Sequence, residues 1–173
     1  MSIEIGAPQI AALLILIQRG AEEVYSIRNT RALLARGARE EGARYYPVVA
    51  IAHLSWIAGL FFLIPPDAQP TWLLIGLYVA LQAVRYWVIA TLGPYWTHRI
   101  ITTDDAPLVS SGAFRFLKHP NYAITVAETL LLPLAFSAVA LALIMTAIWM
   151  AVLSYKIRLE DAALATRYRR AAT

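Results

Sequence analysis

YAITVAETLLLPLAFSAVALALIMTAIWMAVLSY, Tyr122 to Tyr155, is the stretch on which the fold turns. As one helix it would run about 50 Å at roughly 1.5 Å per residue, against a bilayer hydrocarbon core of about 30 Å. Pro133 and then Ser137 stand at its centre, and a proline inside a helix removes a donor and crowds the preceding turn. The stretch therefore predicts two antiparallel spans, 122–134 and 137–155, joined by a tight break near Leu132 to Ser137. A helical hairpin brings its two ends together. LVSSGAFRFLKHPNY (Leu108 to Tyr122), which leads into it, and KIRLED (Lys156 to Asp161), which follows it, are then expected to meet.

The rest of the chain calls for the same solvent. Hydrophobic residues make up 60% of the 173 positions and the mean hydropathy is +0.58, well above the apolar share of an average soluble protein. Further apolar runs at 5–24, 47–64 and 72–91 approach the roughly 20 residues that a helix needs to cross a bilayer. The expectation is an all-α integral membrane protein of five transmembrane helices, the last two a helical hairpin, in a single domain over 1–173. Between spans one and two, the segment around Leu33 and Leu34 reads either as a short interfacial helix or as a solvated linker. As a helix it would be capped by Asn29 or Thr30 and would end near Gly37 or Gly42.

Charge sets the orientation. Arg28, Arg31, Arg36, Arg39 and Arg44 lie between spans one and two. Arg99, Arg115 and Lys118 precede span four, and Lys156, Arg158, Arg167, Arg169 and Arg170 follow span five. The alternate segments, with Glu4, with PPDAQPT and with the Pro133 turn, hold no Lys or Arg. By the positive-inside rule the N-terminus is outside and both polar motifs face the cytoplasm, at the inner membrane for a bacterial chain. The net charge of +4 then belongs to orientation and to contact with anionic membrane lipid, and no nucleic-acid partner is expected. With no cysteine and three scattered histidines, no metal site is expected. No Lys or Arg comes before Arg19, so a cleaved signal peptide is not expected.

Several residues stand out chemically. Gly112 permits a left-handed turn or a close approach to the backbone, and Pro120 keeps His119 extended and suits the first turn of a helix. Such a helix start presents unpaired N–H groups to an anionic or electron-rich ligand; equally, it reads as a plain cap with snorkelling basic side chains. On the other motif, Lys156 and Glu160 form an i, i+4 pair. Glu160 reads either as part of a charged helix end or as an acceptor for the hydroxyl or ammonium groups of a polar ligand. Within the spans lie Arg85, with Gln82 one turn before it, Glu128 and His53. Intramembrane charges face the bundle interior with a partner, and Glu128 with Arg85 is the expected pair, structural or in contact with substrate. His53 reads first as a hydrogen-bonded core residue, and Arg19 with Glu22 and Glu23 as a salt bridge on one helix face. Interfacial anchoring accounts for most of the tryptophans.

The spacing LV-x-x-G-x-[FY]-R-x-x-[KR]-H-P-x-Y, followed by a hairpin and KIRLED, resembles the isoprenylcysteine carboxyl methyltransferase family, from Gln82 onward. QAVRYWVIATLG and RGAEEVYSIRN are similar to its bacterial branch, which includes relatives linked to methylation of long-chain alkylpyrones. The resemblance implies a membrane O-methyltransferase that uses S-adenosyl-L-methionine, bound by a cytoplasmic loop and a C-terminal helix. Its cofactor contacts would fall on Leu108, Val109, Phe114, His119, Pro120, Asn121, Tyr122 and Glu160. Lys156 matches a basic position associated with the substrate, and Arg85 and Glu128 complete the expected catalytic set. Phe114 stands where the family commonly has tyrosine, Lys118 and Lys156 where it has arginine, and Asp161 where a second glutamate is usual. The implied acceptor is a lipophilic small molecule or prenylated species offering a carboxylate or enol oxygen. A carboxylate needs no base; an enol would recruit His119, Glu128 or a residue near Arg85. Two other readings fit parts of the pattern. Sterol reductases share a His-Pro-x-Tyr segment before a final hairpin and use a nicotinamide cofactor, usually with more spans. A non-enzymatic scaffold or small transporter would place Arg85 and Glu128 at its polar centre.

Overall fold

The computed structural model describes residues 4–103 and 109–171. The chain begins with α1 (Ala7–Leu34), which has Pro8 in its first turn, where a missing N–H costs nothing. Gln9 fastens this end to the close of α2 (Tyr46–Phe62) by donating to the carbonyls of Phe61 (3.0 Å) and Ile64 (2.9 Å). α3 (Trp72–Leu92) follows the proline-rich loop, and α4 (Pro120–Ala135) and α5 (Val139–Ala171) form the hairpin. α4 packs between α3 and α5, and α1 packs on α2. A small ribbon joins the long connectors: β1 (Arg39–Glu41) pairs antiparallel with β2 (Ile100–Thr102), Glu40 opposite Ile101. That ribbon is the exception to the expected all-α architecture.

The hairpin break falls where the sequence places it, and its geometry explains how. Ser137 takes φ 58°, and the N–H groups of Ser137 and Ala138 return to the carbonyls of Leu134 (2.9 Å) and Pro133 (2.9 Å). This is a Schellman closure, with serine in the position usually held by glycine. Pro133 sits inside the last turn of α4, one turn before the reversal.

α1 departs from expectation. The helix does not stop near residue 24, and no separate interfacial helix starts at Asn29 or Thr30. It runs 28 residues and closes on Gly37, whose φ of 88° lets Ala38 N–H reach the carbonyl of Leu33. The reason is tertiary. Ser26, Asn29 and Thr30 are buried, and Asn29 spends its amide on the carbonyls of Gly93 and Trp96, not on a cap of its own backbone.

The outer surface is apolar and the interior holds charge. Ile17, Phe62, Leu63, Trp72 and Leu73 are more than two-thirds exposed, while Arg85 and Glu128 are each 1% exposed. Among the described residues three helical stretches are long and apolar enough to cross a membrane: Ala43–Phe62, Trp72–Tyr95 and Val139–Ala163. The chain is thus a mostly helical membrane protein. α1, with charges in its middle, and α4, with 16 residues, occupy the other two places read as spans. Three of the five tryptophans, Trp56, Trp96 and Trp149, are core residues at 1% exposure; only Trp72 and Trp87 lie on the outer surface as anchors would.

Candidate functional site

The two polar motifs meet at the open end of the hairpin. Pro120 forces the chain at His119 out of the helical region, and its φ of −126° and ψ of 64° comply. α4 then starts at Pro120 and carries Tyr122 in its first turn toward α5. Tyr122 Oη donates to Glu160 Oε2 at 2.6 Å, a distance expected for a hydroxyl on a carboxylate. The His119 ring stacks on Tyr122, centroids 5.4 Å apart and planes 10° from parallel. Its Nδ1 lies 3.6 Å from Glu160 and its Nε2 3.4 Å from Asp161. Lys118 completes the seam with a 2.7 Å ion pair to Asp161. Gly112 holds φ 58° beside Thr91, whose Oγ1 would lie 2.8 Å from any Cβ added there, so the loop is tight against α3 at that point. Phe114 packs beside Val88, Ala113 and Ile124, Pro120 is buried and Val109 half-buried. Leu108 lies outside the described residues.

A second polar centre lies deeper. The expected pair of Arg85 and Glu128 is present but long, at 3.5 Å. The tight partners come from α1. Glu22 takes a two-pronged contact from Arg85 (Nε to Oε1 2.9 Å, Nη2 to Oε2 2.7 Å). Arg19 donates to Glu22 at 2.8 Å and to Glu128 at 2.7 Å. Gln82 serves Glu128 at 2.8 Å and Gln18 serves Gln82 at 2.8 Å. Two guanidinium groups and two carboxylates balance in a region where an unpaired charge would be costly. Arg85 Nη1 also reaches Asn121 Oδ1 at 3.4 Å, so the network touches the first turn of α4 and, through it, the His119–Tyr122 seam.

Sequence reasoning missed the pairing of Glu22 with Arg85. The expected salt bridge of Arg19 with Glu22 on one helix face is present at 2.8 Å; what the spacing did not show is that it faces inward to Arg85 and Glu128. Glu23, expected to share Arg19, turns instead to His98, whose Nδ1 is 2.7 Å from its Oε2.

Lys156 also differs from expectation. Its ammonium does not pair with Glu160; it is buried, donates to the carbonyl of His98 at 2.8 Å and lies 5.2 Å from the centre of the Tyr122 ring. It therefore borders both the His119–Tyr122–Glu160 cluster and the loop at His98. Burial holds the His98 imidazole below its ordinary value, against the opposing pull of its hydrogen bond to Glu23. His53 meets the edge of Trp149 at 4.4 Å, as a core histidine does. Among the described residues no group of three or more His, Asp or Glu side chains is arranged to hold a metal.

Comparison with known proteins adds a family. A Bacillus subtilis (strain 168) protein named uncharacterized protein YpbQ is 32% identical over 155 residues, covering 87% of this chain and 92% of the relative. An uncharacterized protein of Haemophilus influenzae is 29% identical over 148 residues, covering 80% and 84% respectively. No solved structure matches. The model of the isoprenylcysteine carboxyl methyltransferase family matches residues 74–166, which is α3, both polar motifs and the hairpin between them. With more than half its length matched, the chain belongs to the isoprenylcysteine carboxyl methyltransferase family of membrane methyltransferases.

Proposed function

We propose that this chain is an S-adenosyl-L-methionine-dependent O-methyltransferase, one domain of five spans with its N-terminus outside. Its cofactor site faces the cytoplasm, and its acceptor is a lipophilic molecule with a carboxylate or enol oxygen. The observation that carries the reading is the Tyr122–Glu160 hydrogen bond of 2.6 Å with His119 stacked alongside, because it unites the two motifs.

The donor set suits this cofactor. Glu160 and Asp161 are carboxylates that would accept from an ammonium or from ribose hydroxyls, and the faces of Tyr122 and His119 suit a cation. In the first turn of α4 Pro120 has no N–H and the Tyr122 N–H is spent on the His119 carbonyl at 3.1 Å, so the N–H of Asn121 is the one offered to a carboxylate. Val109 and Phe114 supply apolar wall. When bound, the cofactor supplies an electrophilic methyl group. Tyr122 fixes the Glu160 carboxylate, and Asn121 ties the cofactor seam to Arg85. Lys156, with Arg85 and Glu128 beneath it, forms the acceptor side. The Lys156 ammonium favours an anionic oxygen, and the apolar surroundings exclude the water that would otherwise screen it. Catalysis would come mainly from alignment of the acceptor oxygen with the methyl group.

Titration of detergent-purified protein with S-adenosylhomocysteine tests the site. Tyr122→Phe and Glu160→Ala are each expected to weaken binding by roughly tenfold or more, the worth of one charge-assisted hydrogen bond. Unaltered affinity in both variants would refute the assignment. A parallel titration with nicotinamide cofactors separates the reductase alternative. Labelled S-adenosylmethionine added to membranes would then identify the methylated lipid.

A further inference from the structure

The loop between α3 and β2 holds a histidine that the cofactor cluster does not use. His98 is anchored from three sides. Its N–H donates to Ser26 Oγ at 2.8 Å and its Nδ1 lies 2.7 Å from Glu23, both on α1; its carbonyl accepts from Lys156 of α5 at 2.8 Å. The Trp96 indole packs edge-on against its ring at 4.7 Å. A side chain on a seven-residue connection is thereby held as firmly as one on a helix.

A carboxylate on one ring nitrogen selects the tautomer. Nδ1–H donates to Glu23, which leaves the lone pair on Nε2. Nε2 is buried and has no hydrogen-bonding partner among the described residues, whereas buried polar atoms are ordinarily matched. His98 also lines a small pocket with Tyr45, Tyr46, Val49, Lys156 and the Glu40–Arg99 ion pair. Its walls combine an imidazole, an ammonium and that ion pair with the first turn of α2, which suits the polar head of a greasy molecule lying along that helix.

We propose that His98, oriented by Glu23, is the general base toward an acceptor carrying a weakly acidic hydroxyl, an enol or a phenol, whose oxygen sits between His98 and Lys156. The proposal rests on the methyltransferase reading and narrows its acceptor. A carboxylate is already ionised near neutral pH and would leave this dyad idle; an enol or phenol needs its proton removed. The O–H proton passes to His98 Nε2 as the oxygen forms its bond to the methyl carbon. The carbon–sulfur bond breaks with its electron pair remaining on sulfur, and the imidazolium releases its proton to solvent. Lys156 stabilises the oxygen while it is anionic. The charged and titratable groups around the imidazole are Glu23 from α1, Glu40 and Glu41 from β1, Tyr45 just before α2, Tyr46 and His53 from α2, Arg85 from α3, neighbouring Arg99 and Lys156 from α5. Burial keeps His98 neutral at pH 7, the form a base requires.

The test uses full-length protein in detergent and, as probe, 4-nitrophenol bearing a decyl chain. With no methyl donor present, wild-type protein is expected to bring out the phenolate absorption at a pH below the probe's own ionisation, and His98→Gln to bind the probe without it. With labelled S-adenosylmethionine, His98→Gln and Glu23→Gln are expected to lower kcat on the probe on the order of 100-fold, with S-adenosylhomocysteine affinity unchanged. Glu23→Gln keeps the imidazole, so its loss of rate separates orientation from simple collapse of the loop. Equal phenolate signal in wild type and His98→Gln, or failure of the probe to bind, overturns the proposal. Wild-type protein that ionises the probe but binds no S-adenosylhomocysteine overturns the methyltransferase reading and leaves the base assignment standing.

Discussion

Replacing Glu22 by leucine is the sharpest test of the buried charge network. In the native structure its carboxylate accepts two hydrogen bonds from Arg85, one from Arg19 and one from Gln18. Without it, two guanidinium groups face Glu128 alone, whose tight contact is to Arg19 at 2.7 Å while Arg85 stands at 3.5 Å. Arg85, 1% exposed, becomes an under-compensated buried cation. Removing one partner of such a pair costs about 3–5 kcal/mol, or a fall in Tm of roughly 6–20 °C for a chain of this size. Glu22→Leu combined with Arg85→Leu removes one charge of each sign and leaves Arg19 paired with Glu128, so the double variant should be more stable than Glu22→Leu alone. Thermal unfolding in detergent, followed by circular dichroism, reads both. A single variant within about 1 kcal/mol of wild type, or a double variant whose losses simply add, would refute the claim that these charges act as one neutral unit.

Three further outcomes follow from the geometry. Gly112→Ala must place a Cβ in the left-handed region and against Thr91, so a loss of about 1–2 kcal/mol, read by chemical unfolding, is expected, and Thr91→Ala in the same chain should recover only the steric part. Ser137→Gly should stabilise the hairpin by about 1 kcal/mol, because the Schellman position then carries a residue without a Cβ. His98 has its folded value depressed by burial, so its contribution is fully present above the ordinary histidine value and is lost as pH falls from about 6.5 through the folded value. Unfolding of wild type and His98→Gln between pH 8 and pH 5 should therefore converge toward the acid end, and a constant gap would contradict that linkage.

How much of this was legible in the sequence differs by element. The α4–α5 turn was legible because length, Pro133 and Ser137 all bear on the same few residues, and local chemistry decides a reversal. The seam of His119, Tyr122 and Glu160 was legible for a related reason: a hairpin leaves its ends nowhere else to go. α1 was not. Asn29 and Thr30 are residues that cap helices when solvent surrounds them, and the packed 93–98 loop instead takes the side chains of Ser26 and Asn29. Nor could local spacing reveal that Arg19 belongs with Glu128, 109 positions away, or that Lys156 would leave Glu160 for a backbone carbonyl 58 positions back. Pairing at such separation is a property of the assembled bundle.

The α1 charges also bear on the order of assembly. Arg19 and Glu22 keep α1 from the apolarity that the stretches Ala43–Phe62, Trp72–Tyr95 and Val139–Ala163 possess. Their partners Arg85 and Glu128 are translated 63 and 109 residues later. A nascent α1 thus meets the bilayer with its neutralising groups still unmade, and its burial has to wait for α3 and α4. α1 is made before its partners but is neutralised only with them, which couples its burial to that of α3 and α4.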